Sequence, residues 1–167
     1  MVIILIGVSG SGKTSIGRAL SVLTGYSFLD ADDYHSPENI AKMSRGEQLT
    51  DADRLPWLSA LSQVIASQVQ QGEQTIWACS ALKKAYRSQL AQANLSSIHF
   101  VYIKVAPELL EMQIEQRQGH FMSPKLLLSQ LATLEEPTAD EATIIPVQTE
   151  TSPQIIALYI QNKLEHL

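Results

Sequence analysis

A chain of 167 residues with 45% hydrophobic and 17% charged residues has the length and composition of one globular domain with a substantial core. Its formal charge of −5, with Lys83-Lys84 as its only adjacent basic pair, argues against a nucleic-acid surface, although a few placed arginines can still serve a small anion. No stretch approaches the ~20 apolar residues of a membrane span, and the apolar start is too short and lacks the basic leader of a signal peptide, so a cytoplasmic protein is expected.

Strand and helix signals then alternate along the chain. Val2–Ile6 is an apolar run of strand length. Directly after it, Gly7, Val8, Ser9, Gly10, Ser11, Gly12, Lys13 and Thr14 fit the pattern G-x-x-x-x-G-K-[ST] at every fixed position. Such glycines let the backbone curl until successive N–H groups point inward and cradle an anion. A helix starting near Lys13, with Ile16, Ala19, Leu20 and Leu23 on one face, adds the positive end of its dipole. Lys13 can reach the β- and γ-phosphates and the Thr14 hydroxyl can ligate Mg²⁺, so this segment implies a bound nucleoside triphosphate.

Gly25 ends that helix, and Tyr26–Leu29 reads as a second strand. Ser36 is placed to cap a short helix running from Pro37 to about Ser44. Asp51 or Asp53 opens the next helix, with Trp57, Leu58, Leu61, Val64, Ile65 and Val69 on one face and Gly72 as its stop. Gln74–Cys79 is a third strand; Cys79, the only cysteine, reads as a small buried hydrophobe. A helix is expected over 84–93, a fourth strand over Ile98–Val105, and a helix from Pro107 to Arg117. After the break at 118–124 a helix reaches Leu134, and Thr143–Val147 is a fifth strand suited to a sheet edge by Pro146. An amphipathic helix carrying Ile155, Ile156, Tyr159, Ile160 and Leu164 closes the chain. This alternation predicts an α/β fold, a parallel sheet with helices on both faces and its ligand site at the carboxyl ends of the strands.

Those strand ends are polar. Asp30 and Asp32, two residues apart in a segment read as extended, point the same way and can divide two tasks, holding Mg²⁺ and orienting an attacking hydroxyl. Asp33 reads as a surface group, and His35 as either a substrate contact or a turn cap. Arg54 can grip a carboxylate through two parallel hydrogen bonds, or pair with Asp51 or Asp53. Lys83 and Arg87 fall four apart on one helical face, a place for an anion or simply a solvated face. Arg117, at a helix–helix junction, suits a lid that closes over a triphosphate, or a plain helix end.

Together these segments resemble the gluconate kinases, small P-loop kinases that phosphorylate D-gluconate at its 6-hydroxyl to give 6-phospho-D-gluconate. The resemblance rests on GVSGSGKT, FLDADDYHSPENIAKMSRGEQLTDADRLPWL, CSALKKAYR, RQGHFM and SQLATLEEP, in family order over residues 7–137. It implies a fold like that of shikimate and adenylate kinases: a five-stranded parallel sheet of order 2-3-1-4-5, with one domain over 1–167, a substrate segment at about 30–60 and a mobile lid at about 117–135. ATP and Mg²⁺ would be the cofactors. By similarity Lys13, Asp32 and Arg117 would be catalytic, with Asp32 orienting or deprotonating the hydroxyl and Asp30 joining Thr14 at the metal. Arg54, Lys83 and Arg87 would be the main contacts to the sugar acid, His35 another. Arg117 and His120 would belong to the lid, with Gln130 beside it; His120 and Gln130 also fall to the substrate side. Family members are often homodimers. Gln48 stands where the family usually has proline, and Gln148 where an acidic residue is common.

Two other readings differ in their sequence demands. A related kinase acting on shikimate or a nucleoside monophosphate shares the same phosphate loop. A GTPase switch requires Asn-Lys-x-Asp after a late strand, whereas Asn162-Lys163-Leu164-Glu165 ends in glutamate and falls within the terminal helix.

Overall fold

The computed structural model of the chain describes residues 1–92, 95–110, 124–147 and 151–164. Its sheet contains β1 (Val2–Ile6), β2 (Ser27–Asp30), β3 (Thr75–Ala78), β4 (Ile98–Val105) and β5 (Thr143–Val147) in the order β2-β3-β1-β4-β5. All four pairings are parallel, and the expected order 2-3-1-4-5 is the one found. β1 reads VIILI and is buried at every position, as a central parallel strand covered on both faces must be. β5 lies at the edge, where Pro146, opposite Lys104, costs no ladder bond on an inner strand.

Alternation along β1 divides the core in two. Val2, Ile4 and Ile6 join Trp77 and Phe100 beneath Trp57, Leu58, Leu61 and Ile65. Ile3 and Leu5 face the other way, with Val101 and Ile103, against Ile16, Leu20, Ile156 and Ile160. The first set comes from α3 (Asp51–Gln70), which lies with α4 (Lys84–Leu90) on one face; the second comes from α1 (Lys13–Thr24) and the last helix, α6 (Pro153–Leu164). α2 (Pro37–Ser44) and α5 (Pro124–Thr133) complete the helices longer than one turn among the described residues, and residues 107–110 are helical. Gly17 lets α1 lie against β2, since a Cβ there would stand 2.4 Å from the Phe28 ring.

The register brings the strand exits to one level: Leu5 lies opposite Ala78 and Val101, and Ala78 opposite Asp30. Several local expectations shift. Residues after Asp30 form a 3₁₀ turn, Ala31–Tyr34, and not an extended segment, because the Asp30 carboxylate caps the turn by accepting from the Asp32 N–H. Thr50, and neither aspartate, caps α3, in a reciprocal capping box with Asp53. α4 stops at Leu90, short of the expected Ala93. The expected helix 107–117 and the break after it lie largely outside the described residues, as does Gln148.

Candidate active site

The phosphate loop leaves β1 and turns into α1 through Gly10 and Gly12, both left-handed with φ of 85° and 89°. Gly12 is the N-cap of α1 and supplies no side chain, so the first N–H groups of the helix stay available to an anion. Lys13 lies back across the loop and donates to the carbonyls of Gly7 at 2.9 Å and Val8 at 2.8 Å. The Ser9 N–H donates to Oε1 of Gln130 on α5 at 2.6 Å, which joins a distant helix to the loop.

β2 delivers the carboxylates. Oδ2 of Asp30 accepts from the Thr14 hydroxyl at 3.1 Å, and Oδ1 accepts from the Asp32 N–H at the same distance. A hydroxyl and a carboxylate this close are hard oxygen donors, the chemistry Mg²⁺ prefers beside phosphates. Among the described residues no cluster of three or more His, Cys, Asp or Glu side chains could hold a metal without such help. The Asp32 carboxylate itself is largely exposed.

His35 stands beside it. Its ring stacks on Trp57 with centroids 4.3 Å apart, and Trp57 is fixed by donating from Nε1 to the Ala31 carbonyl at 2.8 Å. Burial, and then the charge of Arg54, push the His35 pKa down to about 4, so the ring is neutral at pH 7. The Asn39 amide nitrogen lies 3.4 Å from Nδ1 and also donates to the Asp53 carbonyl. An amide nitrogen can only donate, so Nδ1 accepts and the His35 proton sits on Nε2, 3.8 Å from the Asp32 carboxylate.

Charged groups on the first turn of α3 are arranged in pairs. Asp53 takes both its oxygens to Lys42, at 2.8 and 2.9 Å, and together with the Thr50 bonds this holds its pKa down at about 2. Asp51 accepts from Lys83 at 2.7 and 3.0 Å and from the Tyr86 hydroxyl, and these hydrogen bonds hold its carboxyl below the usual range. Arg54 approaches Asp51 only at 3.8 Å.

These elements enclose a cleft of about 520 Å³. It brings together Lys13, Thr14, Asp30, Asp32, His35, Arg54 and Gln130, with Ile40, Met43, Leu49 and Trp57 as an apolar wall and Ser80 near the strand ends. Two expected contacts stand elsewhere. Lys83 stands at the N-cap position of α4 without a side-chain capping bond, and its ammonium turns to Asp51. Arg87 is buried, donating to the carbonyls of Ala81, Leu82 and Glu135 and to the Glu141 carboxylate, which makes it a brace and not part of the cleft lining. Arg117 and His120 lie outside the described residues. Cys79 is buried as expected, its thiol pushed up to about 12 chiefly by burial. Asn39 and the apolar wall fall within the substrate segment expected at about 30–60, although the sequence does not single them out; the helical spacing of Asn39, Ile40 and Met43 points to those on α2.

The AAA domain family model matches residues 2–137. A gluconokinase of Gluconobacter oxydans is 43% identical over 154 residues, covering 92% of this chain and 85% of that protein. A sugar kinase structure from Janibacter sp. superposes with a TM-score of 0.88 at 40% identity, covering 98% of this chain and 94% of the other. A gluconokinase structure from Sinorhizobium meliloti gives 0.84 at 37% identity, over 99% and 93%. No helix among the described residues is long and apolar enough to cross a membrane.

Proposed function

This chain belongs to the gluconokinase family of P-loop kinases, and from that premise we propose that it transfers the γ-phosphoryl group of ATP to the 6-hydroxyl of D-gluconate, giving 6-phospho-D-gluconate. The observation that carries the reading is the meeting, in one cleft, of a phosphate loop, an exposed aspartate and an arginine whose ion-pair partner among the described residues, Asp51, stands off at 3.8 Å.

The chemistry is in-line transfer, in which positioning and charge stabilisation do most of what a protein can do. The loop N–H groups and Lys13 hold the triphosphate. Thr14 and Asp30 would hold Mg²⁺, which neutralises charge on the phosphates when bound. Asp32 aligns the 6-hydroxyl and takes its proton as its oxygen bonds the γ-phosphorus and the bond from that phosphorus to the leaving ADP breaks, with the neutral His35 ring beside it. Arg54 binds the carboxylate at the far end of the sugar acid, so the acceptor lies extended along the apolar wall. Arg117 and His120 belong to this reading as lid groups on the strength of the family resemblance.

Measuring ATP consumption with D-gluconate, glucose, shikimate, a nucleoside monophosphate and no acceptor tests the reading. Turnover that depends on gluconate is expected. Equal ATP hydrolysis without any acceptor would defeat it, and turnover of shikimate or a nucleoside monophosphate alone would move the chain to the neighbouring kinases.

A further inference from the structure

At the acceptor end of the cleft the charges are closely counted. Lys42 is matched by Asp53, and Arg45 by Glu47. Around the Tyr86 ring, two cations and one carboxylate remain among the described residues: Arg54, Lys83 and Asp51. Lys83 and Arg54 both stand over the Tyr86 ring, at 5.7 and 5.9 Å from its centroid, and the Tyr86 hydroxyl donates to Asp51. Asp51 bonds Lys83 through both oxygens but reaches Arg54 only at 3.8 Å. The three groups therefore leave one net positive charge, and that charge lies on Arg54, the member that lines the cleft.

We propose that Asp51 is a specificity-determining residue, which cancels the Lys83 charge so that the Arg54 end of the acceptor site selects acids with one negative charge at their bound end over those with two. The inference rests on the reading of Arg54 as the carboxylate anchor. Asp51 touches neither reacting atom, so its influence is electrostatic and reaches the acceptor through Lys83 and Arg54. Without it, Lys83 and Arg54 would present two positive charges side by side on Tyr86, a pair that favours a dianion. With it, a second carboxylate next to the anchored one finds no uncompensated cation among the described residues around Tyr86 and still loses its hydration. A partly exposed charge of this kind changes discrimination by about fivefold, since solvent screens most of the Coulomb energy.

The test compares the intact enzyme with Asp51→Asn, Asp51→Glu, Lys83→Met and the double variant Asp51→Asn/Lys83→Met. The Michaelis constant for D-gluconate is set against the inhibition constant of tartronate, which carries two carboxylates on one carbon. Asp51→Asn should lower the ratio of tartronate to gluconate constants about fivefold, while Asp51→Glu and the double variant hold it within about twofold of the parent. A ratio unmoved in Asp51→Asn, or one that stays low in the double variant, would overturn the proposal. So would a rise in both constants together, which is what a merely structural role predicts. If Asp51→Asn fails to fold, Lys83→Met decides: it leaves Asp51 to oppose Arg54, and an unchanged gluconate constant sinks the idea. Should the parent enzyme not phosphorylate gluconate at all, the functional reading fails on its own, and calorimetric binding of the two acids still reads the charge preference.

Discussion

Asp32 and His35 form a pair in which a charged, exposed carboxylate stands beside a neutral ring. Replacing Asp32 by Asn keeps its shape and removes its basicity, so kcat should fall roughly 100-fold or more while the Michaelis constant for ATP moves within about twofold. Near-normal turnover would take Asp32 out of the reaction. Arg54→Ala should raise the gluconate constant by about tenfold or more and leave that of ATP alone, because a charge-assisted fork is lost only at the acceptor end. Steady-state kinetics with each substrate varied separates the two outcomes. His35 has a folded pKa of about 4 against an ordinary 6.5, so the unfolded chain binds more protons between those values. Its contribution is therefore complete above pH 6.5 and is lost as pH falls toward 4, an effect of about 2 kcal/mol after allowance for partial solvent access. Urea unfolding at pH 7 and pH 4.5 should show that slope in the parent and a flatter one in His35→Gln. The phosphate loop was legible because each of its positions answers a local demand of backbone or ligand. Lys83 was not, because its partner Asp51 lies 32 residues away and spacing along the sequence cannot reveal it.

Among the elements, the start of α3 links stability most directly to the site. Thr50 caps the helix by accepting from the Asp53 N–H, and Asp53 returns the bond to the Thr50 N–H. Thr50→Ala should cost about 1 kcal/mol, lowering Tm by about 2–4 °C in a domain of this size. Asp51 and Arg54 occupy that same first turn, so fraying there should also raise the gluconate constant while the ATP constant holds. Calorimetry and kinetics on the one variant check both. The strands and most helices could be read from apolar runs and helical spacing, since β1 and β4 are long, apolar and bounded by breakers. The turn after β2 could not, because an Asp-x-Asp pattern suits an extended segment as well as a capped turn. What decides between them is the Asp30 carboxylate, which takes the Asp32 N–H and Thr14 hydroxyl together. The Thr50 cap was hidden in the same way by the aspartates that follow it.

At the scale of the molecule, Arg87 joins parts of the chain that the sheet does not. Its guanidinium binds the exit of β3 through the Ala81 and Leu82 carbonyls, and the segment after α5 through the Glu135 carbonyl and the Glu141 carboxylate, 48 and 54 residues away. Glu135 strengthens the same seam, donating its N–H to the Leu82 carbonyl and accepting from the Lys84 N–H. Ser80 extends the connection to the phosphate loop by accepting from the Gly7 N–H. Arg87→Met fills the volume but strands buried carbonyls and leaves Glu141 with the exposed Lys84 and the Thr138 N–H. Loss of one partner of a buried charge pair costs about 3–5 kcal/mol, a large share of a typical domain's stability. Urea unfolding should register that loss. Because Arg87 does not line the cleft, the gluconate constant of the folded variant, measured at a low temperature, should stay within about twofold of the parent. The opposite pattern, ordinary stability with a tenfold weaker hold on gluconate, would return Arg87 to the acceptor site and recast the brace as part of the binding surface.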